Sequence, residues 1–254
     1  MKFDIITAMP HIFDSYFNES IIERAVDKKI IKIKIHNLRD FTSQKHRKID
    51  DKPYGGGAGM VFMAEPIMRA VGKVLANQSV GSRSRRLKKR TTEKLKTKII
   101  VFSAKGKQFN QKMAYDWAKK FHQIVFITGR YEGIDERALR ILKADSSANA
   151  LATVEEISIG PYIMTDGDVA AMVIISAVTR LIPGVINWRS LKEESYFNGF
   201  MKKEENKNSK GNFEYPHYTR PEILEWRGKK YKVPEILLTG DHKKINAWRR
   251  EHQR

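Results

Sequence analysis

Two loops with closely spaced glycines hold a dense set of charged and polar side chains. The first, residues 129–137, has the sequence GRYEGIDER and follows the apolar run 124–127, which predicts a buried strand. The second, residues 155–168, leads into the apolar run 169–175. Glycines between a strand end and a helix start let a ligand reach backbone N–H and C=O groups, as in the crevices of α/β folds. Each loop alone is more typical of a plain turn, but together they predict a ligand site.

Another segment, residues 54–60, has the sequence YGGGAGM, and we call it the glycine-rich loop. No Gly-Lys-Ser/Thr follows it, and Met60 breaks the dinucleotide-binding spacing, so kinase and Rossmann-type nucleotide sites are disfavoured. Bare glycine backbone can stack against or hydrogen-bond a flat ring. A flexible linker explains the loop equally well.

The elements that must position these loops follow from the hydrophobic pattern. Short apolar or alternating runs predict strands, and apolar residues at helical spacing predict helices. The predicted strands are 3–8, 30–35, 98–102 and 124–127, and the predicted helices are 12–26, 64–75 and one ending near residue 121. Strands that alternate with helices predict an α/β fold with a parallel, layered sheet.

Composition divides the chain further. Residues 1–186 carry the strand and helix pattern, whereas residues 187–212 are polar and predict a flexible linker or lid. Residues 213–254 are short and basic, with aromatic residues between the cations, a pattern that suits loop RNA because bases stack and phosphates pair. We therefore expect a larger domain, a linker and a small RNA-binding domain.

The overall charge points to the same partner. The chain has 48 Lys and Arg against 29 Asp and Glu, a net charge of +19, which favours nucleic acid. It has no cysteine, which excludes disulfides, thiolate nucleophiles and zinc sites built on cysteine. Asp4 would interrupt the apolar part of a signal peptide, and the longest apolar run, residues 169–178, is too short to span a bilayer. We expect a cytoplasmic protein that does not enter membranes.

The most basic segment, residues 83–98, has nine Lys and Arg and a single Glu. Such a run cannot form a core. It is either a solvated loop without a task or an arm that contacts phosphates.

The two loops resemble the bacterial tRNA (guanine-N1)-methyltransferase family of the SPOUT class, which carries a GRYEGIDER segment followed by an EEISIGDY-type segment. The likeness extends over residues 45–60, 179–185 (TRLIPGV) and 216–222 (PHYTRPE) in the family's order. It implies methylation of N1 of guanosine at position 37 of tRNA, with S-adenosylmethionine as cofactor and a dependence on Mg²⁺. No acidic cluster has an evident metal spacing, so the sequence names no metal ligands.

The resemblance also implies an architecture. The expected fold is a parallel sheet with a deep trefoil knot, formed by threading between about Ser103 and Arg180, plus a small, mainly helical C-terminal domain. The family forms homodimers whose active sites combine the loops of one subunit with the linker of the other. Members usually cross residues 83–98 in a shorter loop and continue beyond a length of 254, so we expect an insertion and a shortened C-terminal domain.

Site residues follow by matching positions to the family. The expected cofactor-binding residues are Phe102, Ser103 and Ala104 in one loop, Gly129, Tyr131 and Gly133 in the second, and Ile159, Gly160, Tyr162, Met164 and Gly167 in the third. The expected substrate-binding residues are Tyr54, Gly55, Gly56, Gly57, Gly59, Ser195, His217, Tyr218 and Arg220.

Catalytic roles are implied in the same way. Methylation of N1 requires removal of its proton and stabilisation of negative charge that spreads onto O6, so a carboxylate base and a cation are needed. Arg180 matches the family's arginine for the second role, and Glu132 matches an acid that binds the guanine edge. Glu194 aligns with the family's base, normally Asp, although by itself it is only a charge in the linker.

Three positions depart from the family pattern. Ala104 replaces a proline, and Asp166 replaces a glycine, which we expect to crowd or reorient the third loop. Asp168 stands where the family has Glu, and it fits a helix N-cap equally well. Two alternatives stay open. Asp166, the Glu at the base position and the short C-terminus are compatible with a non-catalytic RNA-binding protein that has the same knot. A 2′-O-ribose methyltransferase with the same knot is the other alternative.

Overall fold

The computed structural model describes residues 1–80, 96–148, 152–187, 190–191 and 214–252. The chain divides into two compact units, Met1–Ile186 and Asn187–Arg254. Most of the basic run 83–98, together with Glu194 and Ser195, lies outside the described residues.

The first unit is built on a five-stranded parallel sheet. In sheet order its strands are β2 (Lys32–Asn37), β1 (Lys2–Thr7), β6 (Gln123–Ile127), β5 (Thr97–Gln108) and β7 (Ala152–Ser158). Every pairing between neighbours is parallel. A short antiparallel pair, β3 (Asp50–Asp51) and β4 (Val61–Phe62), lies outside this sheet. The predicted α/β class with a parallel sheet is confirmed.

Helices cover both faces of the sheet. The helices of this unit are α1 (Asp14–Phe17), α2 (Ser20–Asp27), α3 (Ala64–Val80), α4 (Gln111–Lys120), α5 (Glu136–Ala148) and α6 (Asp168–Thr179). Phe3 and Ile5 of β1 belong to one buried cluster, whereas Ile6 belongs to another, because successive side chains of a strand point to opposite faces. The first cluster contains residues of α2, α4 and α6, and the second contains residues of α3 and α5.

The helix predicted over residues 12–26 is interrupted. A 3₁₀ turn at Pro10–Phe13 leads into α1, and α2 begins only at Ser20. Ser20 has φ of +58°, in the left-handed region, so the right-handed helix cannot run through it. Periodicity alone cannot detect such a break, since the apolar spacing continues across it.

Strand β5 is longer than the predicted 98–102 and contains an excursion. Phe102 and Lys107 both align with Ile157 of β7, so residues 103–106 leave the sheet and return to it. A Cβ on Gly106 would lie 2.6 Å from the backbone nitrogen of Ile157, so only glycine permits the return. Lys98, at the end of the basic run, is buried in β5 and forms an ion pair with Glu155.

The second unit contains a hairpin and a helix. Strands β8 (Ile223–Trp226) and β9 (Lys229–Lys232) pair antiparallel, and α7 (His242–Glu251) follows a 3₁₀ turn at Glu235–Leu238. The Asp241 carboxylate caps α7 by accepting hydrogen bonds from the amides of Lys243 and Lys244. The described part of this unit is therefore both strand and helix.

A buried carboxylate joins three elements at the start of the sheet. Asp4 in β1 accepts hydrogen bonds from Gln123 Nε2 at 2.5 Å and Lys2 Nζ at 2.8 Å, and its Oδ1 lies 2.8 Å from His36 Nε2. Burial alone would raise the pKa of Asp4, but the bonds to His36, Lys2 and Gln123 outweigh it and hold the pKa below its usual value.

This network gives the first prediction. Asp4→Asn should lower the free energy of unfolding near pH 7 by about 1–3 kcal/mol, because it removes hydrogen bonds to a charged group. Because the pKa of Asp4 is lower in the folded than in the unfolded state, its carboxylate stabilises the folded state above about pH 4. This stabilisation is lost as the pH falls further. Urea unfolding between pH 3 and 7 should therefore show that the difference in unfolding free energy between wild type and Asp4→Asn becomes smaller as the pH falls. Asp27→Asn, on the exposed end of α2, is the control, and a difference independent of pH would contradict the prediction.

Candidate active site

One cavity of about 560 Å³ opens beside the excursion of β5 and the carboxyl ends of β6 and β7. Ligand pockets usually measure about 300–1,000 Å³. All the expected cofactor-binding residues line it: Phe102, Ser103, Ala104, Gly129, Tyr131, Gly133, Ile159, Gly160, Tyr162, Met164 and Gly167. Glu132 lines it as well. Three segments that are distant in the sequence therefore meet around one ligand-sized space.

The third cofactor loop, which contains residues 159–167, packs directly on the other two, which contain residues 102–104 and 129–133. The amide of Gly167 donates a hydrogen bond of 2.9 Å to the carbonyl of Gly129, and Arg130 pairs with Asp166 in an isolated antiparallel bridge. A Cβ on Gly167 would lie 3.2 Å from both Gly129 N and Phe102 Cδ2. Glycine thus allows a backbone approach that a side chain would obstruct.

A second glycine in the third loop supports an aromatic ring. A Cβ on Gly160 would overlap the ring of Tyr162, so the bare glycine lets this ring fold back over the loop. The Ser158 hydroxyl donates a hydrogen bond of 2.9 Å to Gly160 O and accepts one of 3.3 Å from Gly160 N. The ring position is therefore fixed by the loop itself.

The N-cap role considered for one aspartate of the third loop is filled by another. Asp166 Oδ1 accepts from the amides of Asp168 at 3.0 Å and Val169 at 3.3 Å, so Asp166 caps the start of α6. Its other oxygen faces Arg130 Nη2 at 3.9 Å. The N-cap role considered for Asp168 is wrong, because Asp168 is the first residue of α6 and its side chain points into the interior.

Asp168 is buried without a hydrogen bond to either carboxylate oxygen. Burial raises its pKa, and the nearby hydroxyls of Thr128 and Thr7 offset only part of that rise. A raised pKa favours the neutral acid, which removes the cost of burying an unpaired charge.

The glycine-rich loop lies against the cavity. A Cβ on Gly59 would lie 2.7 Å from Glu132 Oε1, and the Glu132 amide donates to Met60 O at 3.1 Å. The expected substrate residues Gly55, Gly56, Gly57 and Gly59 all have positive φ, and Tyr54 is almost fully exposed. The structure thus brings the expected substrate loop beside the acid expected to bind guanine.

The remaining expected site residues belong to other parts of the chain. Arg180 follows α6 and is not among the lining residues, and the 12-residue helix places it about 18 Å from Asp168. His217, Tyr218 and Arg220 belong to the second unit, where His217 Nε2 lies 3.1 Å from Glu214 Oε2 and the Tyr218 ring contacts Trp248. Glu194 and Ser195 lie outside the described residues.

Sequence reasoning missed several charged residues of the cavity. The ionisable side chains that line it, apart from tyrosines, are the cations Lys105 and Arg130 and the carboxylates of Glu132, Glu136, Glu156 and Asp166. Lys105 Nζ lies 3.7 Å from Glu136 and 3.9 Å from Glu156. Each of these charged residues is within a few positions of a predicted site residue. This proximity in the sequence is the signal that could have identified them. Within the described ranges, no group of three or more His, Cys, Asp or Glu could hold a metal ion.

The parallel sheet and the cavity beside it define an α/β protein with a ligand-sized space between three loops. The family model described as tRNA (Guanine-1)-methyltransferase TrmD matches residues 1–254, and the chain belongs to this family.

Curated relatives agree with this assignment. The tRNA (guanine-N(1)-)-methyltransferase of Clostridioides difficile (strain 630) is 41% identical over 99% of this chain and 91% of its own length. The proteins of the same name from Thermomicrobium roseum and Carboxydothermus hydrogenoformans are 44% and 43% identical, over 98% and 99% of this chain and 78% and 82% of their own lengths. The family resemblance in the sequence is confirmed. No helix among the described residues is long and apolar enough to cross a bilayer.

The packing of Gly160 gives the second prediction. Gly160→Val should abolish cofactor binding, because the new side chain displaces the Tyr162 ring from its place over the loop. Calorimetry with S-adenosylmethionine measures the loss, and circular dichroism should show an unchanged fold. Gly72→Ala, at a helical glycine with open space around it, is the control and should bind normally. Loss of folding in Gly160→Val would assign this glycine a purely structural role.

Proposed function

We propose that this protein is a methyltransferase that transfers a methyl group from S-adenosylmethionine to N1 of the guanosine at position 37 of tRNA. The observation that carries the proposal is the convergence of the three family loops on one cavity, with the glycine-rich loop packed against Glu132. Family membership supports tRNA guanine N1 methylation and the cofactor. Position 37 rests on the resemblance.

The residues of the cavity suit this cofactor. S-adenosylmethionine supplies an electrophilic methyl group on a positively charged sulfur. Its ammonium and carboxylate groups balance each other, so the sulfonium leaves the molecule with a net positive charge. The cavity has four carboxylates against two cations within a chain of net charge +19, so its lining favours a cationic ligand. Gly129 and Gly167 permit close backbone approach, and the Tyr131 ring, packed edge-on against Phe62, offers a surface for a flat base.

The chemistry needs a proton acceptor and a stabilised oxygen. We assign removal of the N1 proton to the Glu194 carboxylate, which would free the N1 lone pair to take up the methyl group. The bound cofactor would supply that group as its sulfur–methyl bond breaks, and it would leave as a neutral thioether. Charge that spreads onto O6 is stabilised by the Arg180 guanidinium. Glu132 accepts hydrogen bonds from the guanine edge, and its contact with Gly59 supports a base bound beneath the glycine-rich loop.

A homodimer would complete the site. Arg180 is about 18 Å from the start of α6, so the Arg180 guanidinium of the same subunit is poorly placed for the cavity. Val169 and Val173, one turn apart on α6, are 44% and 43% exposed, and Ile163 beside the cavity is 83% exposed. An apolar helix with an uncovered apolar side fits an interface with a second copy. We propose that Arg180 and Glu194 serve the cavity of the partner subunit.

A trefoil knot belongs to the same proposal. Gly167 of the third loop packs against Phe102 of the first loop and Gly129 of the second. The helix that follows, α6, packs on the opposite side of the sheet from α5. This course supports threading of the chain between about Ser103 and Arg180. Dependence on Mg²⁺ is implied by the resemblance alone, and we assign no ligands for it.

Substrate RNA would also contact the second unit. His217, Tyr218 and Arg220 lie near the start of its described segment 214–252, before the hairpin. We propose that residues 187–212 act as the linker or lid and residues 213–254 as the tRNA-binding domain. Ser195 would contact the substrate from the linker.

The direct test is mass spectrometry of nuclease-digested tRNA after reaction with the protein and S-adenosylmethionine. The expected product is 1-methylguanosine at position 37. A 2′-O-methyl nucleoside would assign the protein to ribose methylation instead. Cofactor and tRNA binding without any product in a single turnover would identify a non-catalytic RNA-binding protein.

The third prediction concerns the base. Glu194→Gln should lower the single-turnover rate by about 10²–10⁴, with cofactor affinity almost unchanged, as expected for loss of general base catalysis. Glu194→Asp should keep much of the activity because it retains the carboxylate. If Glu194→Gln reacts at nearly the wild-type rate while Glu193→Gln or Glu132→Gln is inactive, the base is the other carboxylate.

The fourth prediction tests the shared site. Arg180→Ala and Gly160→Val homodimers should both be inactive, but subunits unfolded and refolded together should recover roughly a quarter of wild-type activity, because half the dimers are mixed and each has one intact site. The measurement is methylation after refolding at equal concentrations. No recovery from a mixture that demonstrably contains heterodimers would place Arg180 in the site of its own subunit.

A further inference from the structure

The hairpin of β8 and β9 exposes both of its faces. Every residue of the two strands is exposed, including Leu224 and Tyr231 at 54% each and Trp226 at 61%. Arg227 and Gly228 form the turn with φ of +50° and +73°, the conformation that joins two strands in a tight hairpin. An isolated hairpin is marginally stable in water, so a partner that covers one face would stabilise it.

Register divides the hairpin into two different faces. Leu224 pairs with Tyr231 and Trp226 pairs with Lys229, so these four side chains share one face, which we call the aromatic face. On the opposite face Ile223 pairs with Lys232, and Glu225 Oε1 lies 3.0 Å from Lys230 Nζ. The only carboxylate of the hairpin therefore faces away from the aromatic face.

We infer that the aromatic face binds unpaired bases of the substrate RNA by stacking. This inference rests on the proposed function, which supplies a tRNA substrate with a single-stranded anticodon loop, and adds a stacking surface at Trp226 and Tyr231. Aromatic rings stack on any base, and neighbouring cations pair with the phosphates between bases. The Arg227 guanidinium lies 6.0 Å from the Trp226 ring centroid, and Lys229 lies beside that ring across the strands.

Charge favours RNA over a second copy of the chain. The hairpin and its turn have four cations, Arg227, Lys229, Lys230 and Lys232, against the single carboxylate of Glu225. Two copies of this hairpin brought face to face would repel each other, since each carries four cations against one carboxylate. A polyanion that also presents flat apolar bases complements both the charge and the rings.

The test uses the full-length protein and measures tRNA affinity by fluorescence anisotropy over a salt series. Trp226→Ala should weaken binding about ten- to one-hundred-fold, as for loss of one stacked base, without changing the salt dependence. Trp226→Phe should restore most of the affinity. Lys229→Ala should instead reduce the slope of log affinity against log salt by roughly 0.7–0.9.

The opposite face offers a matched control. Ile223→Ala removes an apolar side chain of similar exposure from the same strand and should leave tRNA affinity unchanged. Contact itself is read from ¹⁹F NMR of protein labelled with 5-fluorotryptophan, in which the Trp226 resonance is identified by its loss in Trp226→Phe. That resonance should shift when an anticodon stem-loop RNA is added.

Two outcomes would overturn the inference. Unchanged tRNA affinity in Trp226→Ala would exclude stacking at this face. A loss of dimer in sedimentation by the same variant, without a ¹⁹F shift on adding RNA, would assign the face to a second copy instead. If wild-type protein makes 1-methylguanosine while Trp226→Ala binds tRNA normally, only the hairpin inference fails. Absence of product with wild-type protein would be a failure of the proposed function.

Discussion

The candidate site depends on one close approach between backbones. Gly167 donates a 2.9 Å hydrogen bond to Gly129 O while packing against Phe102, so the third loop lies on the first two. The same contact leads directly into α6, which begins at Asp168. Because a side chain at Gly167 would lie within 3.2 Å of both neighbours, the cavity, the start of α6 and the position of Asp166 all depend on this glycine.

Charge is distributed so that two ligands of opposite sign can bind the same protein. The chain as a whole is strongly basic, which suits RNA, whereas the cavity lining has more carboxylates than cations. Fields of this kind act locally because screening in salt limits their range to about 10 Å. A cationic cofactor and a polyanionic substrate can therefore both be attracted to the same chain.

The departures from the family pattern illustrate how a substitution is absorbed. Asp166, at a position where the resemblance implies a glycine, caps α6 and faces Arg130 in the second loop, so its carboxylate is used within the loop. Asp168 is buried with a raised pKa instead of capping the helix. One acid accepts hydrogen bonds from the amides at the start of the helix, and burial of the other raises its pKa and so favours its neutral form.

Hydrophobic periodicity and the order of strands and helices were sufficient to predict the parallel α/β class, because burial on a sheet or helix face leaves a repeating pattern in the sequence. The loop motifs likewise identified residues that line the cavity, since each motif is local. The break at Ser20, the excursion of residues 103–106 and the capping role of Asp166 depend on backbone angles and on neighbours distant in the chain. The acidic lining of the cavity and the separation of Arg180 from it also needed the tertiary structure, because only folding determines which charges lie within a few ångströms of one another.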